Sequence, residues 1–443
     1  MKKRRIKGFR GFLTIWLGQF ASLFGSGMTS FALTIWIFQK TESPTALAIS
    51  TFFATFPMLI FGPMSGALAD RFSRKSLLIA SDSLAGFATL AILIIYHTGN
   101  LEIWHIYIVG AITGIADSIQ VPSLMGSMTL LVPKKHYSRA SGLQELAGTA
   151  SSIFAPIAAA GLLAFTDLRE ILLIDLATFG LAVITICVVH IPQPSETVVG
   201  KAARGNFLQD MIYGFKFIFA RPSFRGLQSI WMAANLFATT GNVLIAALVL
   251  ARTGGNQFTL SGVEALLSVG AVIGGIIISA WGGPQRKVRG ALISMALCGL
   301  LGRVMFGLGN DLSTWIPGAF FFFFFIPILN GCLAPVWLSK VPPDVQGRVM
   351  SARITLSRLM IPLGTLIAGP LAEEVFEPAM MPGGLLVPIF EKFVGTGPGA
   401  GMSLLILLTG ILIAGLTPVG LAIPVIRDAE TTLPDCEAET ISG

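Results

Sequence analysis

Apolar residues in this chain come in long runs of roughly 20 to 28, the length a helix needs to cross a hydrocarbon core of about 30 Å. Short polar breaks rich in Lys, Arg, Gly and Pro separate the runs. Twelve are placed at 12–38, 45–68, 76–96, 103–131, 143–165, 171–191, 223–250, 260–281, 290–308, 314–339, 354–375 and 402–426, numbered below as spans 1 to 12. Barrel strands would instead alternate over about ten residues. Hydrocarbon offers a bare backbone no hydrogen bonds, so the pattern predicts an all-α membrane protein with twelve transmembrane helices.

Composition removes the soluble alternative. Hydrophobic residues make up 53% and charged residues only 12% of the chain, about half the charge of an ordinary soluble domain, and the mean hydropathy is +0.78. A net charge of +7 would suggest nucleic acid in a soluble protein. Here the basic residues sit in short loops, so membrane orientation explains them and no nucleic acid is expected. Of the 30 Lys and Arg, only Lys40, Arg169, Arg252 and Lys392 fall on one side of the spans, and Arg303 lies inside span 9. The remaining 25 fall on the other side, which makes both termini cytoplasmic by the positive-inside rule. The basic start, followed by an apolar run as far as Phe38, is too long for a cleaved signal peptide.

The 192–222 connection is the longest on the cytoplasmic side, is polar, and contains Pro192, Pro194, Gly200 and Gly205. It divides the chain into a six-helix bundle over 1–191, a linker over 192–222, a second bundle over 223–426 and a cytoplasmic tail over 427–443. The halves echo each other. Val132, Pro133 and Arg139 before span 5 return as Val341, Pro342 and Arg348 before span 11, and Arg74-Lys75 returns as Arg286-Lys287. Two pseudo-symmetric bundles are therefore expected. The outer segment 377–401 is unusually long, with a short interfacial helix expected near 385–394.

Span 2 ends in Gly62, Gly66, Asp70 and Arg71, followed by Arg74 and Lys75. Gly62 and Gly66 share a helix face and allow close approach of a neighbour, and Asp70 suits either an arginine partner or another helix's N-terminus. The run resembles the signature of the major facilitator superfamily, and the resemblance implies that Asp70, Arg71 and Arg74 latch the cytoplasmic side in one state of a transport cycle. The second half keeps Gly282, Gly283, Arg286 and Lys287 but lacks the acid, so a latch there would be weaker. Gly18-Gln19, Ser81-Asp82, Ile174-Asp175 and the run from Val341 to Val349 resemble the branch that holds macrolide-efflux proteins and the enterobactin exporter. Pro156 and Gly161 in span 5 resemble a degraded form of the glycine-proline hinge of family antiporters. The arginine that multidrug antiporters often carry in span 4 is missing.

An ionisable group inside a span costs several kcal/mol unless it meets a wet cavity or a partner. Asp117 lies near the middle of span 4, and Thr113, Asp117, Gln120 and Ser127 share one helix face. Gln19, Ser22, Ser26 and Ser30 form a similar stripe on span 1, Asn235, Thr239 and Asn242 on span 7, and span 10 adds Asn330. The resemblance implies that spans 1, 4, 7 and 10 line the substrate path, so these stripes are its candidate lining, with aromatic contributions from 320–325 and Trp337. Interhelical packing is the competing reading for each Ser and Thr. Asp117 is the candidate proton site. Asp175 and Glu264 are expected in first helical turns as dipole partners, and Glu145 near a membrane boundary. For Arg303 either snorkelling to headgroups or a buried carboxylate is expected.

The resulting expectation is a monomeric transporter in the bacterial inner membrane, surrounded by lipid, that exports a small amphipathic molecule with protons as coupling ion. Substrate-proton symport and a non-transporting receptor remain alternatives. Cys187, Cys298, Cys332 and Cys436 are scattered, and His97, His105, His136 and His190 have no paired nucleophile or zinc motif. Neither a metal site, a cofactor nor an enzyme activity is expected.

Overall fold

The computed structural model describes residues 6–41, 44–193, 206–254 and 256–433. Its elements are α1 (Gly8–Thr41), α2 (Pro44–Arg71), α3 (Arg74–His97), α4 (Ile103–Leu131), α5 (Tyr137–Leu163), α6 (Leu168–Val188) and α7 (Phe207–Ala220). Then come α8 (Pro222–Arg252), α9 (Gln257–Trp281), α10 (Lys287–Leu308), α11 (Leu312–Lys340), α12 (Gln346–Met380), α13 (Val387–Val394) and α14 (Ala400–Ala422). Among the described residues, eleven helices are long and apolar enough to cross a membrane. The twelfth long helix, α9, corresponds to span 8 and has Leu266–Trp281 as its apolar described portion. Large apolar side chains such as Phe87, Ile157, Ile184 and Leu366 are exposed, which only a lipid surround tolerates on this scale. The chain is a multi-pass membrane protein.

Helix starts follow ordinary capping chemistry. The Ser73 hydroxyl accepts from the Ser76 amide at 3.0 Å before α3. The Glu102 amide donates to His105 Nδ1 at 3.0 Å before α4, and the Asp167 amide to Glu170 Oε2 at 3.1 Å before α6. Two helices carry π-helical turns, Cys298–Val304 within α10 and Leu371–Phe376 within α12, a distortion that often marks a functional position.

The chain forms two compact units. The first takes the sequence up to Phe217 together with Trp337–Thr355, and the second takes Ile218–Val336 and Leu356–Pro434. In the first, α2 packs on α4, α1 on α5 and α6, and α3 on α4 and α6. Met28, Ile37, Ile92, Ile106, Ile171 and Leu172 fill its core. In the second, α14 packs on α8 and α10, and Leu248, Val249, Phe306, Trp315 and Ile406 form the centre. Backbones approach closely there: a Cβ at Gly302 would lie 2.6 Å from Phe322 Cα, and one at Gly299 would lie 2.6 Å from the Gly410 carbonyl. Small residues are the means by which membrane helices gain dispersion contacts, since lipid tails remove the hydrophobic drive to associate.

Three expectations change. Span 11 begins at Gln346 rather than 354, so Arg348 and Arg353, assigned to a loop because they are basic, are helical. The same helix runs on to Met380, so the outer segment starts at Met381, and its short helix is Val387–Val394. Asp175 lies two turns inside α6, not in its first turn. The linker's residues 194–205 lie outside the described residues, and so does the side chain of Glu264. The rest of the linker is mainly α7.

Gly302→Ala is expected to lower the stability of the purified protein by about 1–3 kcal/mol through overpacking against α11. Gly180, whose Cβ would meet nothing within 4 Å, should accept Ala without loss. Thermal unfolding in detergent checks both.

Candidate functional site

Three polar clusters interrupt the apolar packing, two in the first unit and one in the second. The first surrounds Asp82 on α3, which is 1% exposed. The Gln19 amide of α1 donates to Asp82 Oδ2 at 2.8 Å, and the Gln120 amide of α4 donates both to Asp82 Oδ1 and to Gln19 Oε1, the latter at 2.8 Å. Three helices are thus joined by one carboxylate and two amides. Asp117, one turn before Gln120 on α4, is exposed.

Nearby, Asp175 on α6 is also 1% exposed and accepts from Ser26 on α1 and Thr89 on α3, each at 3.2 Å. Ser22 is buried, whereas Ser30 is exposed. Thr113 turns its hydroxyl back to the Gly110 carbonyl at 3.0 Å and Ser127 to the Ser123 carbonyl at 2.7 Å, so both satisfy themselves within α4. Gln19 and Gln120 therefore come together on Asp82, with Asp117 one turn from Gln120 on α4, while Thr113 bonds within its own helix. Pro156 lies inside an unbroken α5, and Gly161 has nothing within 4 Å of an added Cβ.

The second cluster is at the ends of α2, α7 and α12. Asp70 accepts from the Gly347 amide at 2.8 Å and the Arg348 amide at 3.0 Å, capping α12 from outside, so its negative charge meets the positive helix end. Arg348 Nε also donates to Asp70 Oδ2 at 3.0 Å, and both side chains are almost wholly buried. Arg348 Nη1 reaches Asp210 Oδ1 of α7 at 3.0 Å, and Arg71 Nη2 reaches Asp210 Oδ2 at 2.6 Å. Tyr213 lies under the Arg348 guanidinium, 4.7 Å from ring centre to carbon. Close approach is enabled by Gly62 and Gly66, whose added Cβ atoms would lie 2.7 Å from the Thr355 hydroxyl and 2.6 Å from the Gly347 carbonyl. Arg74, 2% exposed, donates to the carbonyls of Gly126 and Pro343. Of the alternatives left open for Asp70, the helix N-terminus is therefore realised, with Arg348 as its cation instead of Arg71 or Arg74.

The third cluster belongs to the second unit. Asn235, Thr239 and Asn242 share one face of α8, the first two half-buried and Asn242 exposed. Asn330 on α11 is half-buried. Arg303, at the π turn of α10, is 1% exposed. It donates to the Ala238 carbonyl at 3.1 Å and to Asn242 Oδ1, and its guanidinium stacks 3.8 Å from the Phe322 ring centre. Neither snorkelling nor a carboxylate partner is realised among the described residues, because α8 and α11 close over the side chain. Trp337 is buried under Arg353, 5.3 Å away, so it is a packing residue of the first unit.

Among the described residues no three His, Cys, Asp or Glu side chains gather as a metal site. Sequence reasoning missed Asp82, Asp210 and Arg348 as working residues. Asp82 obeys the rule that singled out Asp117, a carboxylate within an apolar run. Asp210 lies in a linker where one acid carries no local signal.

Residues 15–365 match the profile of the Major Facilitator Superfamily. The chain is 26% identical over 376 residues to macrolide efflux protein A of Streptococcus pyogenes, covering 82% of this chain and 90% of the other. It is 23% identical over 348 residues to the enterobactin exporter of Escherichia coli, covering 77% of each. A crystal structure of a bacterial homologue of the iron transporter ferroportin, in an outward-facing state, superimposes with a TM-score of 0.68 at 15% identity, over 93% of this chain and 99% of that one. Twelve long helices, small-residue packing, a signature acid on the tip of α12 and a profile match across most of the sequence agree: this chain belongs to the Major Facilitator Superfamily of transporters.

Proposed function

We propose that the chain exports a small amphipathic organic molecule by alternating access, driven by inward proton flow. The observation that carries the reading is the Asp82 carboxylate, buried and held by the amides of Gln19 and Gln120 beside an exposed Asp117. Ionised, Asp82 binds both amides; protonated, it binds them less tightly and frees N–H donors for a ligand. One proton is thereby exchanged against one set of substrate contacts, which is the minimum that antiport requires. Asp117 supplies the charge that discourages both acids from ionising together. Export as the direction is supported by the names of the two relatives, one a macrolide efflux protein and one an enterobactin exporter, and by the resemblance of the Pro156 to Gly161 segment to the glycine-proline pattern of family antiporters. The distribution of Lys and Arg supports cytoplasmic termini in a bacterial inner membrane.

The Asp70, Arg348, Asp210 and Arg71 cluster, with Arg74 on its carbonyls, is assigned as the cytoplasmic latch. The side chains of Asp70, Arg348, Asp210 and Arg74 are buried while Arg71 is exposed, so opening must hydrate four charges together, which makes the step cooperative and not gradual. Asp210 brings the linker helix α7 into that step. The latch thus includes a residue outside the signature, and the acid lost from the second half's echo has no part in it.

Everted vesicles with an imposed proton gradient, supplied with radiolabelled erythromycin or iron-free enterobactin, test the coupling. Gradient-driven accumulation should vanish in Asp82→Asn and fall at least tenfold in Asp117→Asn, while downhill exchange in Asp82→Asn continues. Accumulation at the wild-type level in Asp82→Asn would end the coupling assignment. Accumulation in right-side-out vesicles instead would reverse the direction and favour symport.

The latch is tested by a single-atom change. Asp210→Asn weakens charge-assisted bonds to Arg71 and Arg348, a loss of about 1.5–3 kcal/mol, and should open the cluster. A cysteine replacing Ser351, which is 3% exposed, should then react with a water-soluble maleimide at least tenfold faster in Asp210→Asn than beside wild-type Asp210. Equal rates would remove Asp210 from the latch.

A further inference from the structure

A buried cation inside a membrane helix ordinarily has an anionic partner. Arg303 makes no ion pair with any described carboxylate. Its Nε has no hydrogen-bond acceptor, its stem is closed in by Gly410, its guanidinium passes Gly241, and Phe322 covers its face. The side-chain acceptor it reaches is Asn242. It also donates to the Ala238 carbonyl, a backbone group of α8, so Asn242 is the side chain through which its field can act on a ligand.

The chemistry of the contact fixes which way the amide points. A guanidinium has only donors, so the Asn242 atom facing it must be the oxygen, and the NH2 group must point away. Away from Arg303 is the exposed side of α8. That side is the wet one, because an amide turned to hydrocarbon would lose its hydrogen bonds, and Thr239 and Asn235 lie on the same face one and two turns away. Asn235 is turned the other way: its NH2 donates to the Trp231 carbonyl at 2.8 Å, leaving its oxygen outward. Along about 10 Å of α8, one face thus offers an acceptor at Asn235 and, at Asn242, a pair of donors sharpened by a buried positive charge.

We infer that Asn242, oriented and polarised by Arg303, is the oxygen-binding subsite of the second unit, selecting cargo that carries a carbonyl, carboxylate or other electron-rich oxygen. Arg303 is a positioning residue: the ligand meets the Asn242 amide, and the cation behind it makes that amide a strong donor and sets a preference for negative over positive groups. The inference rests on the chain's being a small-molecule transporter, but not on the direction or the coupling proposed above.

The test needs no transport and no knowledge of the cargo. In the full-length protein, Asn242→Cys is reacted with a sulfonate methanethiosulfonate and with its trimethylammonium counterpart. Modification at position 242 is followed by mass spectrometry of the digest and divided by the rate ratio for free cysteine. The anionic reagent should be favoured at least tenfold, and Arg303→Gln in the same background should bring the ratio below twofold. Thr239→Cys, one turn away, should show an intermediate preference. No reaction at 242, or a preference that Arg303→Gln leaves unchanged, overturns the inference. If Arg303→Gln fails to give a monodisperse protein, the ratio in Asn242→Cys alone decides: below twofold refutes it, above tenfold with a weaker preference at 239 upholds it. Failure of the vesicle assays would leave this ratio as it is, and a ratio near one would leave proton-coupled export standing.

Discussion

A charge or polar group that cannot reach water must be answered by the protein itself, and almost every feature of this molecule follows from that constraint. Applied to the backbone, it leaves only helices, because each helix satisfies its own amides and carbonyls. Applied to side chains, it turns every polar residue inside a span into a demand on a neighbouring helix. Asp82 draws α1 and α4 to α3, Asp175 draws α1 and α3 to α6, and Arg303 ties α10 to α8 and α11. The apolar remainder of each helix can face lipid or protein with little preference, so these few polar contacts, together with glycine-permitted close packing, determine which face turns inward.

The same constraint gives the clusters their functional character. Asp82 has amide partners and, among the described residues, no cation, which is the setting the proposed proton exchange relies on. Arg348 and Asp70 have each other, with a helix N-terminus and Asp210 in addition, so their charges are fixed while the cluster holds. Arg303 has an amide and an aromatic face, which leaves its positive field only partly answered. A group whose charge is completely compensated serves structure or a switch between two whole arrangements. One that is incompletely compensated is available to a proton or a ligand. That distinction separates Asp175, which hydroxyls from two helices hold in a dense part of the first unit, from Asp82, although the two are equally buried.

Much of this was legible in the sequence. Twelve apolar runs give the helices directly, because a span is defined by its own residues and the thickness of hydrocarbon. Gly62, Gly66 and Asp70 announce a crowded, charged helix end for the same local reason. Span 11, which is α12, starts earlier than expected because Arg348 and Arg353 look like loop residues to any rule that counts charge. Asp70, far away in sequence, caps the first turn, which contains Arg348, and Arg353 lies about two turns from the start of the same helix.

What the sequence by itself determined was therefore which segments enter the membrane and which polar residues go with them, since both depend on the composition of a single stretch. What only the tertiary structure decided was the partnership of those residues: Asp82 rather than Asp117 as the buried acid, Asp210 of the linker helix as a member of the Asp70 cluster, and an asparagine in place of a carboxylate for Arg303. The physical reason is that a polar group's energy in a membrane is set by what lies a few ångströms away across a helix interface, and no spacing along one helix records its neighbour.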